Sequence, residues 1–341
     1  MIFQDKTVLI TGGTGSLGKD LVRHIMTGKL GKPRQVVVFS RDEDKQYAME
    51  LEWKKLKVAT DDVFYHADDM LGFQIGDIRE YESVVRAVKQ ADIIIHAAAL
   101  KQVPIGESFP FESVRTNVLG TQNIIRAIIE QGNHVEAVLA VSTDKACKPV
   151  NTYGMCKAIQ ERLIIEANRL CPQTRFICVR YGNVAASRGS IIPLFQEQIK
   201  GGGPITITRD DMTRFIQTIE TAIDTIAEAL RSAEAGETWV PNLRAHKVLD
   251  MAEVMMGERH IDIKTIGVRP GEKIHEILIS EEEIPRTIKK GDYYVVLPIL
   301  PSLRKREIVK PVLDEELSSE KICMSKNEMK SFLEAGGFLN F

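Results

Sequence analysis

Short apolar segments recur along the first half of the chain, separated by stretches with helical spacing. The segments are TVLIT (7–11), QVVVFS (35–40), FQIGD (73–77), DIIIHAA (92–98), AVLAVST (137–143) and RFICVRYGNV (175–184). Most are apolar at consecutive rather than alternate positions, which is typical of strands covered on both faces. Helices predicted over 17–28, 80–90, 113–131 and 153–170 complete βαβ crossovers. We therefore predict an α/β fold built on a doubly wound parallel sheet.

The regular alternation of predicted strands and helices ends after about residue 185. Glycine and proline in SRGSIIPLFQEQIKGGGPITIT (187–208) predict a loop, a short helix and a strand. We predict one domain from residues 1–185 plus 213–242. Residues 186–212 plus 243–300 would form a smaller mixed α/β lobe that binds substrate over the carboxyl edge of the sheet, where ligands bind in such folds. Residues 301–341 are a tail that ends in a helix within KNEMKSFLEAGGFL.

Composition narrows the class of protein. Hydrophobic residues make up 44% and charged residues 27%, as in globular domains, and the net charge of −2 gives no electrostatic reason to expect nucleic acid or an anionic membrane. No apolar run approaches the ~20 residues that span a bilayer, and no signal-peptide pattern is present, so we expect a cytoplasmic protein. The five cysteines show neither CxxC pairs nor histidine partners at metal-ligand spacing. We expect free thiols and no metal site.

A glycine-rich loop joins the first strand to the first helix. In TVLITGGTGSLGKDLVRHI, Gly12, Gly15 and Gly18 would allow a tight turn and a close approach of the backbone to a pyrophosphate. The N-terminus of the helix would then face the negative charge. We predict a Rossmann-type domain that binds a dinucleotide. The GxxGxxG spacing resembles that of the short-chain dehydrogenase/reductase superfamily.

The end of the second strand bears on the choice of cofactor. An NAD-specific site usually carries an acid there, whereas FSRDEDK places Ser40 and Arg41 in that zone. Because arginine pairs with a 2′-phosphate, this favours NADP over NAD. The residues predicted to bind the cofactor are Gly12, Thr14, Gly15, Ser16, Leu17, Gly18, Ser40, Arg41, Asp42, Lys45, Asp77, Ile78, Ala97, Ala98, Ala99, Tyr153, Lys157 and Val184.

Tyr153 and Lys157 form a YxxxK pattern near the start of a predicted helix, one turn apart on one face. The lysine would hold the nicotinamide ribose and lower the pKa of the phenol. The tyrosine could then exchange a proton with a substrate hydroxyl while hydride moves. With Thr143 ten residues upstream, the pattern indicates a sugar-nucleotide oxidoreductase, epimerase or dehydratase.

The adjacent pair Asp144 and Lys145 distinguishes among these activities. An epimerase oxidises and reduces one carbon again, and it needs no further acid or base. A 4,6-dehydratase also removes the proton from carbon 5 and expels the hydroxyl of carbon 6 as water. It therefore needs a base and an acid beside Tyr153. The pair favours a dehydratase.

A family resemblance is carried by STDKACKPVNTYGMCK (142–157), HAAALKQVPIGESFPFESVRTNVLGTQN (96–123), RYGNVAASRGSIIPLF (180–195), DDMTRFI (210–216) and RPGEKIHEILIS (269–280). Over residues 3 to about 295 the chain resembles the inverting UDP-N-acetylglucosamine 4,6-dehydratases, which open the pathway to pseudaminic acid. The related UDP- and dTDP-glucose 4,6-dehydratases carry Asp-Glu where this chain has Asp144-Lys145. The resemblance implies a UDP-sugar substrate and transient hydride transfer to NADP.

The resemblance also implies roles for single residues. Lys145 would be the base at carbon 5, Asp144 the acid for the leaving hydroxyl, and Tyr153 the base at carbon 4. Lys145 can serve only when neutral, although a lysine starts near pKa ~10.4 and Asp144 favours its charged form. The residues implied for substrate binding are Lys101, Thr143, Asn183, Arg188, Thr213, Arg214, Arg269 and Glu272, with Arg188 and Arg214 on the diphosphate.

Several alternatives stay open from the sequence. They are a retaining dehydratase, a 4-epimerase, a dehydratase of GDP-sugars and a non-catalytic regulator that senses NADP. The stretch 56–73 is longer and more acidic than the resemblance implies, and the last 40 residues match weakly. The long amphipathic helices predict a homo-oligomer, at least a dimer, and the resemblance suggests a hexamer.

Overall fold

The computed structural model describes residues 1–58, 70–131, 134–187, 189–305 and 310–341, with the backbone alone for 54–58. The acidic stretch predicted at 56–73 therefore lies largely outside the described residues. Its helices are α1 Ser16–Met26, α2 Glu43–Val58, α3 Tyr81–Val88, α4 Val103–Ser108, α5 Pro110–Ser113, α6 Gly120–Gln131, α7 Thr152–Leu170, α8 Ile191–Lys200, α9 Ile219–Ser232, α10 Val248–Met256 and α11 Lys326–Ala335. A π-helical turn, Val114–Leu119, precedes α6.

The large sheet contains most of the strands in the first half of the chain. Its strands are β1 Thr7–Thr11, β2 Gln35–Ser40, β3 Leu71–Ile75, β4 Ile93–His96, β5 Ala137–Val141, β6 Arg175–Val179, β10 Thr238–Pro241, β14 Thr287–Lys290 and β15 Tyr293–Val296. In the described residues their spatial order is β14-β15-β10-β6-β5-β4-β1-β2-β3. In this spatial order the seven strands β10, β6, β5, β4, β1, β2 and β3 run parallel, and β14 and β15 add an antiparallel edge. The predicted doubly wound sheet is confirmed.

Successive side chains of the central strands enter two different helical layers, because side chains of a strand alternate between the faces of a sheet. Val8 and Ile10 of β1 pack in one core with α1 and α9, whereas Leu9 packs in the other core with α3, α6 and α7. The same alternation holds for β2 and β4. Burial on both faces explains why these strands are apolar at consecutive positions.

Shorter strands build a second region over the carboxyl edge of the sheet. They are β7 Asn183–Val184, β8 Ile205–Ile207, β9 Thr213–Gln217, β11 Arg244–Lys247, β12 Ile263–Thr265, β13 Ile277–Ile279 and β16 Leu317–Ser318. A third apolar core joins α8, β8, α10 and α11, with Phe195, Met251 and Leu333 fully buried. The helix predicted at the end of the tail is α11, which begins with a capping box between Ser325 and Glu328.

The division of the chain differs from the predicted one in two places. Residues 243–300 were expected in the smaller lobe, but β14 and β15 within that range pair with the edge of the large sheet. The tail was expected as a separate region, but β16 pairs with β13 and α11 completes the third core. Both differences are long-range pairings that local sequence patterns do not specify.

A buried ion network ties the sheet to the segment after β13. Arg180, which follows β6 and has a side chain 4% exposed, donates bidentate hydrogen bonds to Glu161 of α7 at 2.6 and 3.0 Å. It also donates to Glu283 at 2.7 and 3.1 Å. Glu161 in turn accepts from Ser142 at 2.5 Å. Because Ser142 directly follows β5 and is held by Glu161, the network constrains the end of that strand.

We predict that Arg180→Met destabilises the protein by about 3–5 kcal/mol, because Glu161 would remain buried without its cation and Glu283 would keep only its pair with Arg286. The measurement is urea unfolding followed by circular dichroism. The matched control is Arg231→Met, which removes an exposed pair with Glu228 on α9 and should change the free energy of unfolding by less than about 1 kcal/mol. Equal effects of the two substitutions would contradict a stabilising role for the network.

Candidate active site

A cleft of about 730 Å³ lies at the carboxyl ends of the parallel strands. Twenty-five of the predicted site residues line it. The twenty-two in the first 185 positions of the chain are Gly12, Thr14, Gly15, Ser16, Leu17, Gly18, Ser40, Arg41, Asp42, Lys45, Asp77, Ile78, Ala97, Ala98, Ala99, Lys101, Thr143, Lys145, Tyr153, Lys157, Asn183 and Val184. Arg214, Arg269 and Glu272 line it from the smaller lobe. The structure therefore brings together residues that are more than 250 positions apart in sequence.

The glycine loop fits the pyrophosphate of a dinucleotide. Gly12 has φ +71°, and a Cβ there would lie 2.8 Å from the backbone of Ala98. A Cβ on Gly18 would lie 2.5 Å from the Cα of Gly13, so α1 can approach the loop only without a side chain at that position. Helix α1 has no side-chain hydrogen bond at its N-cap and no acidic residue in its first turn. Its N-terminal N–H groups and positive dipole end remain suited to an anion.

The end of the cleft next to β2 and β3 is charged. Arg41 has a side chain 54% exposed, and its guanidinium lies 3.9 Å from the carboxylate of Asp77. Asp77 also accepts hydrogen bonds from Arg79 at 2.6 to 3.0 Å. Burial raises the pKa of Asp77, but Arg79 outweighs it and lowers the pKa overall. Asp42 pairs with Lys45 across the first turn of α2.

The start of α7 packs tightly against the turn after β5. A Cβ on Gly154 would lie 2.2 Å from the carbonyl oxygen of Lys145, so only glycine permits this approach. Asn151 caps the helix by accepting from the N–H of Gly154 at 2.7 Å, and its amide donates to the carbonyl of Gly271 at 2.7 Å. These contacts fix helix α7, which carries the YxxxK pattern, next to Lys145 and to residues 269–273, which we call the RPGEK loop.

Tyr153 and Lys157 have different electrostatic surroundings. Burial raises the pKa of Tyr153 to about 12, while the charge of Lys145 and the hydroxyl of Thr143 oppose this shift. Burial lowers the pKa of Lys157 to about 8. Lys157 donates to the carbonyl of Val141 at 2.5 Å and also to Gln160. We expected Lys157 to lower the pKa of Tyr153; the cation that lowers it in this structure is Lys145.

Asp144 is fully buried behind the wall of the cleft and does not line it. Its Oδ1 accepts from Thr143 at 2.9 Å and from Lys145 at 3.1 Å. Its Oδ2 has no hydrogen-bond partner among the residues that the structure describes. Burial raises the pKa of Asp144, the ammonium of Lys145 opposes the shift, and the pKa stays raised overall. A protonated carboxyl is thus favoured here relative to an exposed aspartate.

Lys145 lies between two carboxylates. Its Nζ is 3.1 Å from Asp144 Oδ1 and 3.1 Å from Glu276 Oε1. Burial lowers the pKa of Lys145, but the two carboxylates outweigh it and raise the pKa overall. In this state of the site, Lys145 is an ammonium. The sequence had indicated one opposing carboxylate, and the structure adds a second.

The residues expected on the substrate differ in their placement. Arg214 lines the cleft, yet its guanidinium donates to the carbonyls of Thr213, Ile274 and Lys273 at 2.7 to 3.0 Å. Thr213 does not line the cleft, because its hydroxyl contacts His275 at 2.9 Å and Ser319 at 2.7 Å. Arg188 lies outside the described residues.

Sequence reasoning missed several residues of the site. Glu276 lines the cleft in contact with Lys145, although it stands within the quoted RPGEKIHEILIS stretch. His96 is buried at the end of β4, where its ring contacts Thr11 at 2.7 Å and Thr121 at 3.0 Å. Burial lowers the pKa of His96 to about 3, so the ring is neutral. The available signal for Glu276 was its position in the RPGEKIHEILIS stretch that carries the family resemblance.

No cluster of three or more metal-ligating side chains occurs in the part of the chain that the structure describes. Within the same residues, no helix is long and apolar enough to cross a bilayer.

A family model described as polysaccharide biosynthesis protein matches residues 8–298. The chain belongs to this family. Among curated relatives, an inverting UDP-N-acetylglucosamine 4,6-dehydratase of Campylobacter jejuni is 38% identical over 89% of this chain and 86% of its own. A UDP-glucose 4-epimerase of Rickettsia akari is 40% identical over 86% of this chain and 83% of its own. The resemblance inferred from the sequence is confirmed.

Solved structures share the fold. The structure of Pen from Bacillus thuringiensis has a TM-score of 0.88 and 36% identity, and the match covers 99% of this chain and 100% of that one. The dTDP-glucose 4,6-dehydratase DesIV from Streptomyces venezuelae, solved with NAD and TYD, has a TM-score of 0.67 and 21% identity over 79% and 86% of the two chains. At that identity the second match supports the fold alone.

Proposed function

We propose that this member of the polysaccharide biosynthesis protein family converts UDP-N-acetylglucosamine to UDP-2-acetamido-2,6-dideoxy-beta-L-arabino-hex-4-ulose. The reaction is a 4,6-dehydration with inversion at carbon 5, and it would supply surface glycans or flagellin of the pseudaminic acid type. The observation that carries the proposal is the adjacent acid and base: Lys145 lines the cleft beside Tyr153, and Asp144 lies behind it with Oδ1 3.1 Å from Lys145 Nζ. The 38% identity to a relative of this name supports it.

We propose NADP as the cofactor. Arg41 and Lys45 line the end of the cleft that the second strand reaches, and Arg41 is exposed enough to meet a 2′-phosphate. The glycine loop and the N-terminus of α1 would hold the pyrophosphate, and Lys157 the nicotinamide ribose. When bound, the nicotinamide supplies reversible hydride transfer, taking hydride from carbon 4 and returning it to carbon 6. A cofactor regenerated within each turnover should be bound tightly.

Tyr153 would act at carbon 4, with Thr143 hydrogen bonded to the same substrate oxygen. The phenol must accept the proton of the carbon 4 hydroxyl, so its anion has to form. Burial opposes this anion, while Lys145 and Thr143 favour it. The three side chains therefore act as one unit, and a change at Lys145 would also affect the first step.

Lys145 and Asp144 would carry out the elimination. The neutral amine of Lys145 takes the proton from carbon 5, and the carboxyl of Asp144 gives its proton to the hydroxyl that leaves carbon 6 as water. Inversion requires carbon 5 to receive a solvent-derived proton on its opposite face, while Lys145 releases its own proton to solvent and the proton on Tyr153 restores Asp144. The raised pKa of Asp144 suits a proton donor. Lys145 must first lose the charge that Asp144 and Glu276 stabilise.

The substrate side of the cleft is supplied mainly by the smaller lobe. We propose that Arg214 and Arg188 meet the diphosphate, which a planar guanidinium can bind with two hydrogen bonds. Arg269 and Glu272 would contact the uridine end from a turn in which the Arg269 N–H donates to Glu272 at 3.4 Å. Lys101 and Asn183 would contact the sugar from the opposite wall, and Thr213 would support Arg214 from behind.

A UDP-sugar 4-epimerase is the second candidate, because relatives with that name are 40% identical. Epimerisation would use the same cofactor and Tyr153. It would give no role to the buried acid and the lysine after Thr143, which is why we favour dehydration.

We also propose a homo-oligomer, at least a dimer and up to a hexamer. Large apolar side chains are exposed along α4 to α7, including Ile105, Phe109, Phe111, Met155 and Ile159. A second copy of the chain would remove this apolar surface from water.

The function is tested by proton NMR of the protein with UDP-N-acetylglucosamine in deuterated water. We expect a 4-keto-6-deoxy product with deuterium at carbon 5 and coupling constants of the L-arabino configuration. Retained configuration would indicate the retaining reaction. An unchanged 6-hydroxymethyl group with altered carbon 4 would indicate an epimerase. No turnover of any UDP- or GDP-hexose would contradict an enzymatic function.

Lys145→Ala should separate the two half-reactions. We expect hydride exchange at carbon 4 to continue at a reduced rate, because Tyr153 loses the cation that favours its anion. Deuterium entry at carbon 5 should fall further, by about 100-fold or more, since a general base contributes 10²–10⁴-fold. Lys148→Ala is the matched control, because Lys148 lies three residues away and pairs with Glu281 and Glu316 outside the cleft. Normal deuterium entry in Lys145→Ala would show that another group is the base.

Arg41→Ala tests the choice of cofactor. We expect the preference for NADP over NAD to fall about tenfold or more, since a charge-assisted hydrogen bond contributes 1.5–3 kcal/mol. Calorimetric titration with both dinucleotides gives the ratio. Arg23→Ala, on the exposed side of α1 where Arg23 pairs with Asp20 and Glu52, should keep the ratio. An unchanged ratio in Arg41→Ala would leave NADP preference without its proposed cause.

A further inference from the structure

Glu276 is a buried carboxylate that lines the cleft, directly before β13. Its side chain is 2% exposed, and Oε1 lies 3.1 Å from Lys145 Nζ and 4.0 Å from Arg214 Nε. Its Oε2 lies 3.8 Å from Lys273 Nζ and has no hydrogen-bond partner among the described residues. The carboxylate thus joins cations from the turn after β5, from β9 and from the RPGEK loop.

The position of Glu276 is fixed from behind by the C-terminal segment. The backbone N–H of Glu276 donates to Ser319 Oγ at 2.8 Å, and the N–H of Ser319 donates to the carbonyl of Glu276 at 2.8 Å. Ser319 is fully buried, and its hydroxyl also contacts Thr213 at 2.7 Å. Ser319 therefore fixes the backbone of Glu276 and contacts the strand that carries Arg214.

We propose that Glu276, held by Ser319, is a positioning residue that fixes the side chain of Lys145 and sets the pH at which Lys145 becomes a base. This inference rests on the proposed function, in which Lys145 removes the proton from carbon 5. It assigns a role to a residue of the smaller lobe and to the C-terminal segment, both distant in sequence from the YxxxK helix.

The charges around Lys145 determine the sign of the effect. Asp144 faces it from its own turn, Glu276 from the segment before β13, Arg214 from β9 and Tyr153 from α7. The negative charge of Glu276 stabilises the ammonium and raises the pKa of Lys145, while Arg214 lowers it. Removing the carboxylate should therefore lower the pKa of Lys145 and increase its neutral fraction at a given pH.

Glu276→Gln keeps the shape of the side chain and removes its charge. Lys145 is first followed without substrate, by competitive labelling with acetic anhydride from pH 8 to 12 and mass spectrometry of its peptide. We expect the labelling midpoint to fall by about one pH unit or more, the usual effect of an opposite charge at this distance. Glu276→Asp should recover part of the shift. Glu281→Gln, which removes an exposed carboxylate five residues away, should match the wild type.

Deuterium entry at carbon 5 of UDP-N-acetylglucosamine gives the second readout. We expect the ascending limb of its pH profile to move to lower pH in Glu276→Gln, together with a lower plateau because Lys145 is no longer held in place. A residue that only supports the fold would lower the rate at every pH by the same factor. An unmoved limb and an unmoved labelling midpoint would overturn the proposal.

The two readouts separate this inference from the proposed function. A labelling shift in a protein that does not turn over UDP-N-acetylglucosamine would support the control of Lys145 by Glu276 and contradict the dehydratase assignment. Glu276→Gln leaves the three cations Lys145, Arg214 and Lys273 facing one another, which disfavours folding. Ser319→Ala, which keeps the carboxylate, is therefore the second variant. It should shift the labelling midpoint in the same direction by a smaller amount, and no shift in a folded Ser319→Ala protein would count against the proposal.

Discussion

The ammonium of Lys145 between two buried carboxylates is the constraint on which the site depends. Asp144 and Glu276 come from different parts of the chain, and both lie 3.1 Å from the same nitrogen. A buried cation requires such partners, since desolvation would otherwise favour the neutral amine. The same partners oppose the neutral form that a base at carbon 5 needs. In the reaction we propose, substrate binding would have to alter this balance of charge. Arg214 lies 4.0 Å from Glu276 and lines the cleft, so it is placed to transmit such a change from the substrate to Lys145.

The fold supports this cluster through a second set of buried charges. Arg180 binds Glu161 of α7 and Glu283 after β13, and Glu161 accepts from Ser142 at the end of β5. The elements that carry Lys145, Tyr153 and Glu276 are thus connected by ion pairs rather than by apolar packing alone. Ion pairs of this kind are specific in geometry, and breaking one leaves uncompensated charge. This coupling explains how a strand end, a helix start and the smaller lobe keep a fixed relation around one cleft.

Local patterns in the sequence predicted the sheet and most of the cleft, because the carboxyl ends of parallel strands meet at one edge. Gly12, Arg41, Ala97 and Thr143 follow four different strands and line the same cleft. The pairing of β14 and β15 with β10 was not predictable in this way, since an antiparallel hairpin carries no signal for the strand that it joins. Glu276 was missed for a related reason: its contact with Lys145 depends on how the lobe folds back, across 131 positions of the sequence.

Overall identity does not separate the two activities named among the relatives, since a dehydratase at 38% and an epimerase at 40% are equally similar to this chain. Both chemistries need the glycine loop, Tyr153 and Lys157, so these residues cannot distinguish them either. The distinction has to lie in groups that only an elimination uses. A buried carboxyl with one unpartnered oxygen and a lysine held by a second carboxylate cost free energy to bury. An epimerase would gain nothing from that cost, whereas a dehydratase needs both a proton donor and a proton acceptor at this position.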